Sequence, residues 1–140
     1  MKYDSVHFVF FGLFINHTVS FAFLWSSLLR AARTANISAT LWIITMAVIA
    51  NTAWDEGNYF NSSVISNDAK NVITIFPIWG FYRGWSEYKE FAFQAARLGT
   101  KGMQWSDIRN DPMCAMGTVM GIMAIEWPIF LFIALYLDQV

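Results

Sequence analysis

Charge is what this chain has least of. Only 14% of its 140 residues are Asp, Glu, Lys or Arg, where about 25% is usual in a soluble domain. The net charge is −1, which gives no electrostatic footing for nucleic acid, since that binding rests on neutralising phosphates. A single cysteine, Cys114, excludes an internal disulfide and a cysteine-rich metal site. It reads as a small apolar residue in a helix. No G-x-x-x-x-G-K-S/T run occurs, so the sequence holds no phosphate-binding loop, and Gly99-Thr100-Lys101-Gly102 is a turn. No nucleophile, base and orienter stand at triad spacing, and no His, Cys and carboxylate set stands at metal-ligand spacing. These absences leave no catalytic, cofactor or metal residue to assign in this chain. Lys2 alone precedes the first apolar run, which is too long for a cleavable signal and lacks a small-x-small site after it.

What the chain has instead is apolar surface. It is 56% hydrophobic and 18% aromatic, with mean hydropathy +0.41; about 45–50% apolar is ordinary in soluble proteins. The expectation is an all-α integral membrane protein. Residues 6–29 form the first span, long enough for a hydrocarbon core of about 30 Å. It carries Asn16, His17 and Thr18, polar side chains that need helical partners in lipid; His17 is a candidate proton relay or pocket residue, with an interhelical hydrogen bonder as the alternative. Residues 29–36 make a short basic turn, and Arg30 and Arg33 act there as cytosolic anchors and lipid-phosphate contacts. Residues 37–54 form the second span. Residues 55–70 then form an exoplasmic loop with an N-glycosylation sequon at Asn61. The sequons at Asn16 and Asn36 lie in or against spans and are poor acceptors. The last span is 113–137, preceded by a second exoplasmic loop, 98–112. Gly117-xxx-Gly121 in that span is a candidate packing motif. Glu126 lies near its middle, where a carboxylate costs about 2.5–3.5 kcal/mol on insertion scales and so faces a partner or cavity, or is protonated.

The stretch 71–97 organises the rest. From Tyr82 onward, Arg83, Glu87, Glu90, Gln94 and Arg97 recur at spacings of four and three, which at about 100° per residue gathers them on an arc roughly 80° wide. Trp85, Tyr88, Ala92, Ala95 and Ala96 lie opposite. The pattern predicts an amphipathic helix of about 16 residues, too short to span. The apolar run 72–81 before it is shorter still and is punctuated by Pro77 and Gly80. Two half-length elements with a break between them read as a re-entrant hairpin that dips into the membrane. A surface helix following a short buried segment is the alternative.

The order of these pieces resembles the membrane domain of the ABC transporter A subfamily, in particular its plant- and protist-type members. The resemblance rests on SSLLRAARTA (26–35), FPIWGFYRGWSEYKEFAF (76–93), LGTKGMQWSDI (98–108) and MAIEWPIFLFIALYLDQV (123–140). The Gly-Met-x-Trp block, with the terminal helix at a fixed distance after it, is the specific part. It implies that 6–29 and 37–54 are the fourth and fifth membrane helices, 71–97 the exoplasmic re-entrant hairpin and 113–137 the sixth helix. It further implies lipid export or flipping with the rest of the transmembrane domain. ATP and Mg are implied for a separate or downstream nucleotide-binding domain, since this chain has none. Lys101 stands where the family often has an acid.

The expectation is therefore three spans plus a re-entrant hairpin, a partial transmembrane domain facing membrane lipids. Glu126 and the hairpin's polar stripe serve helix packing and gating, with Arg83 and Glu87 as an i,i+4 pair. A small standalone membrane scaffold without transport activity is the rival reading. An enzyme acting through Glu126 and His17 is a third, disfavoured because the two residues lie on different spans.

Overall fold

A computed structural model describes residues 5–29, 31–51, 66–99, 101–110 and 115–139. Arg30, Asn61, Trp54 and Cys114 lie outside the described residues. The described chain is helical throughout, in the order α1 (Ser5–Leu28), α2 (Ala32–Asn51), α3 (Asn67–Thr74), α4 (Pro77–Leu98), α5 (Trp105–Asn110) and α6 (Met116–Gln139). Two of these, α1 and α6, each of 24 residues, are long and apolar enough to cross a membrane. The apolar part of α2, Arg33–Ile49, falls short of that test.

The first and last helices pack side by side in the same direction. Ser5 accepts a hydrogen bond from the Trp105 indole at 2.9 Å, His17 meets Glu126, and the Phe21 and Phe130 rings lie 5.8 Å apart. Residue numbers rise together along α1 and α6, so the two run parallel. The inner residues of α1, Val6, Phe10, Leu13, His17 and Ser20, recur at spacings of four and three. On α6, Met116, Val119, Met120, Met123 and Ala134 are buried. Such spacing keeps one seam of each helix on its neighbour. In contrast Phe8, Phe23, Phe132 and Tyr136 remain exposed, as apolar side chains do where lipid is the solvent.

Helix α2 runs back beside α1: the Trp25 indole donates to Ser38 Oγ at 3.1 Å, and Trp42 stacks on Phe21 at 5.2 Å. Here the helix begins at Ala32 and takes in Arg33, earlier than the span expected at 37. Residues such as Ala32 and Thr34 suit a helix as well as a turn, so hydropathy alone placed the boundary late.

The stretch 71–97, expected as a hairpin, falls on two helices, α3 and α4, joined by a short turn. Ser66 caps α3 by accepting from the Ala69 N–H at 3.3 Å. The reversal falls at Ile75 and Phe76, and α4 starts at Pro77 in its first turn, where the fixed φ is preorganised and no N–H is needed. Gly80 is inside the helix and does not break it. As a result α4 has 22 residues, longer than the expected helix, and ends at Gly99 with φ 66°, the left-handed cap that glycine adopts without strain. Phe81 packs on Phe14 at 4.5 Å and the Tyr88 hydroxyl lies 3.2 Å from His7 Nδ1, so α4 runs antiparallel to α1. Phe76 at the reversal lies 5.5 Å from Trp42, level with Phe21. That is about 24 Å along α1 from Ser5 at 1.5 Å per residue.

Candidate functional site

Two polar assemblies lie within this apolar frame. The first joins α1 to α6. His17 is fully buried, and its Nε2 lies 3.1 Å from Glu126 Oε2, whose side chain retains 14% exposure. The contact is close without the alignment of a hydrogen bond: both His17 ring nitrogens, Thr18 Oγ1 and Glu126 Oε2 are buried with no hydrogen-bond partner. Phe130 covers the imidazole at 5.5 Å, nearly parallel. Pro128 follows two residues after Glu126 and removes the backbone donor for the Ala124 carbonyl, which weakens α6 at this level. Separation on different spans thus did not keep the two groups apart. Asn16 takes no part, because its amide donates to Gly12 O on its own helix and its side chain faces outward.

The second assembly locks the hairpin. Arg83, 7% exposed, donates from Nη1 to Asn71 Oδ1 at 3.0 Å and to Thr74 Oγ1 at 2.9 Å. Thr74 in turn donates to Lys70 O at 2.8 Å, so one guanidinium clasps α3 against α4. One turn on, Glu87 accepts from the Ala115 N–H at 2.8 Å and the Met116 N–H at 2.7 Å. Those N–H groups belong to the start of α6, where an unpaired donor and the helix dipole both favour a carboxylate. Burial desolvates Arg83, and the Glu87 charge offsets part of that penalty.

The stripe expected on α4 therefore divides. Arg83 and Glu87 point into the protein, while Glu90, Gln94 and Arg97 are exposed; Gln94 donates to Glu90 at 3.0 Å and Arg97 lies 5.2 Å over the Phe93 ring. A helical wheel ranks faces by polarity but does not name the neighbour on each face. Arg33 is exposed at the opposite end, on α2.

Sequence reasoning missed Asn71 and Thr74, although a polar pair one turn before a lone arginine was there to be read. Of the two glycines it marked for close packing, Gly117 is tight, since a Cβ there would lie 3.0 Å from Ile108 Cγ2, while one on Gly121 would meet nothing within 4 Å. Two further close approaches fall at Gly80 and Gly84 on α4, against Met123, Thr74, Phe10 and Met116.

Arg83→Lys is expected to cost about 1 kcal/mol, because a point charge on a shorter stem does not hold both acceptors. Faster amide exchange at residues 70–74 would register it, and unchanged exchange there would refute the clasp.

Among the described residues the structure thus defines an all-helical fold with two membrane-length apolar helices bridged by internal polar contacts. Comparison with known proteins identifies its relatives. ABC transporter A family members 5 and 6 of Arabidopsis thaliana are 30% and 31% identical to it over 139 and 136 residues, and member 4 is 31% identical over 139. Each match covers 97% of this chain. The chain is related to the ABC transporter A family. It spans 14% of the length of these curated relatives. No family model and no solved structure matches it.

Proposed function

We propose that this chain is a membrane-embedded portion of an ATP-driven lipid transporter, contributing helices to the lipid pathway. The observation that carries this reading is the match to transporter relatives along 97% of the chain. Its topology has three spans, α1, α2 and α6, with α3 and α4 as a re-entrant hairpin entering from the exoplasmic side. Three features support that arrangement. The Phe76 reversal stops part-way along α1; the exposed Glu90, Gln94 and Arg97 lie beyond Tyr88, which is level with the start of α1; and Arg33 lies at the other end. Glu87 binds the hairpin to the first turn of α6, so tilting of either moves the other. ATP and Mg act in a nucleotide-binding domain on the same or another chain, and membrane lipids and the remaining transmembrane helices complete the partners.

The test is a replacement: this chain substituted for the aligned segment of Arabidopsis family member 5, reconstituted in liposomes with a fluorescent phospholipid. ATP-dependent lipid movement at no less than half the parent rate is the expected outcome. A hybrid that folds and hydrolyses ATP yet moves no lipid, beside a parent that does, rejects the reading.

A further inference from the structure

From the α1–α6 seam we infer that His17 and Glu126 form a proton-binding site. This inference is independent of lipid transport. Three observations converge on it. The two titratable groups stand 3.1 Å apart, with His17 fully buried. Four polar atoms at this level, two on His17, one on Thr18 and one on Glu126, are buried without a hydrogen bond. Native interiors leave few such atoms, and those they leave call for a bound species or a functional reason. Their surroundings are apolar, with Phe130 stacked on the ring and Met123 buried one turn before Glu126.

The chemistry follows from counting protons. In its neutral state the pair carries two protons, one on His17 Nδ1 and one for which Glu126 Oε2 and His17 Nε2 compete. Whether the shared proton rides on oxygen, as a neutral pair, or on nitrogen, as an ion pair, the net charge is zero. Releasing it leaves a carboxylate beside a neutral imidazole, net −1. A further proton leaves a carboxylic acid beside an imidazolium, net +1. Either charged state is penalised in this apolar seam, so proton gain or loss loosens α1 from α6. Glu126 is the entry point, because it keeps partial exposure and His17 keeps none.

The other titratable groups on the packed helices are engaged or placed elsewhere. On α4, Arg83 bonds Asn71 and Thr74, Glu87 caps α6, and Tyr88 meets His7. Tyr82 packs with Trp79, and Lys89, Glu90 and Arg97 lie on the exposed outer part of that helix. Asp107 on α5 accepts from the Gln104 N–H, and Arg109 is exposed. Asp68 and Lys70 are on α3, Arg33 is at the start of α2, and Tyr136 and Asp138 are at the far end of α6. Among the described residues, none of them is within ion-pair distance of His17 or Glu126.

The chain has two histidines, so His7→Gln leaves one imidazole to follow. In nanodiscs, nitrogen-15 NMR of His17 and the infrared carbonyl band of a protonated carboxyl are recorded across about pH 4 to 9. The two signals are expected to change at a common midpoint. Glu126→Gln removes the carboxyl band and moves the His17 midpoint by at least about one pH unit, the coupling that defines interacting sites. His17→Gln moves the carboxyl midpoint by the same amount, as linkage requires. Independent midpoints in the His7→Gln chain overturn the site, even where the other variants fail to fold. So does a His17 curve that Glu126→Gln leaves unchanged.

Discussion

Glu87→Ala is expected to destabilise the chain by about 2–4 kcal/mol. Both carboxylate oxygens are in use, one on the Ala115 N–H and one on the Met116 N–H. Alanine leaves these two donors at the start of α6 without the acceptor that reaches them from α4. It also leaves buried Arg83 without the charge that offsets its desolvation, and a buried cation that loses its counter-charge is costly. Glu87→Gln keeps one acceptor oxygen and is expected to lose about half as much. Glu90→Ala, one turn further on an exposed surface, is expected to stay within about 0.5 kcal/mol. Thermal unfolding in detergent ranks the three, and hydrogen exchange at residues 115–119 locates the damage. A Glu87→Ala chain as stable as Glu90→Ala would mean that the cap carries no energy and that hairpin and α6 are not joined there.

The sequence disclosed its elements more readily than their neighbours. Length and apolarity mark α1 and α6, and the four-three recurrence of polar residues from Arg83 to Arg97 marks α4, because each signal is local. Pro77 marks the hairpin joint for the same reason. Faces are another matter. On α1 and α6 almost every position is apolar, so the period of 3.6 carries no contrast and the seam through Val6, Phe10, Leu13, His17 and Ser20 cannot be singled out. The His17–Glu126 contact joins residues in the first and last helices, and no spacing rule reaches that far. Arg83 shows a different limit: the polar arc was assigned as a whole to helix packing and gating, and the pattern does not say which part of it turns inward. Here the arc's first half turns inward and is satisfied by Asn71, Thr74 and the start of α6.

The two internal assemblies act on the same helix from different sides. Glu87 holds the first turn of α6, and His17 touches it about three turns later beside Pro128. Between them Met116, Val119, Met120 and Met123 fill the core with α1. A helix fixed at its start and joined to α1 by a titratable contact can pivot there with little repacking. Methionine suits that arrangement, since its unbranched side chain adapts to shifted partners.

Gly84→Leu is expected to cost about 3 kcal/mol, and Gly84→Ala about 1–2 kcal/mol, despite the better helix propensity of both residues. Alanine gains about 1 kcal/mol over glycine in a helix interior, so sterics must exceed that gain for the sign to reverse. They do. A Cβ at Gly84 would lie 2.6 Å from Phe10 Cε2, 2.7 Å from Cζ and 3.3 Å from Met116 Sδ. Met116 is flexible and can yield, but the Phe10 ring cannot. It is 1% exposed, stacked on Phe81 at 5.8 Å and edge-on to Phe11 at the same distance. The helix must then back away from α1 and α6 together, which pulls Glu87, one turn along, off its two N–H groups. Gly121→Ala provides the opposite sign: nothing lies within 4 Å of that Cβ, so the propensity gain of about 1 kcal/mol stands alone. Melting of both variants in the same detergent separates the two cases. Adding Phe10→Leu to Gly84→Ala should recover part of the loss, because it removes the ring atoms that the new methyl meets. If Gly84→Ala raises the melting temperature as Gly121→Ala does, α4 is not held against α1 at this point, and the hairpin's placement beside the seam fails with it.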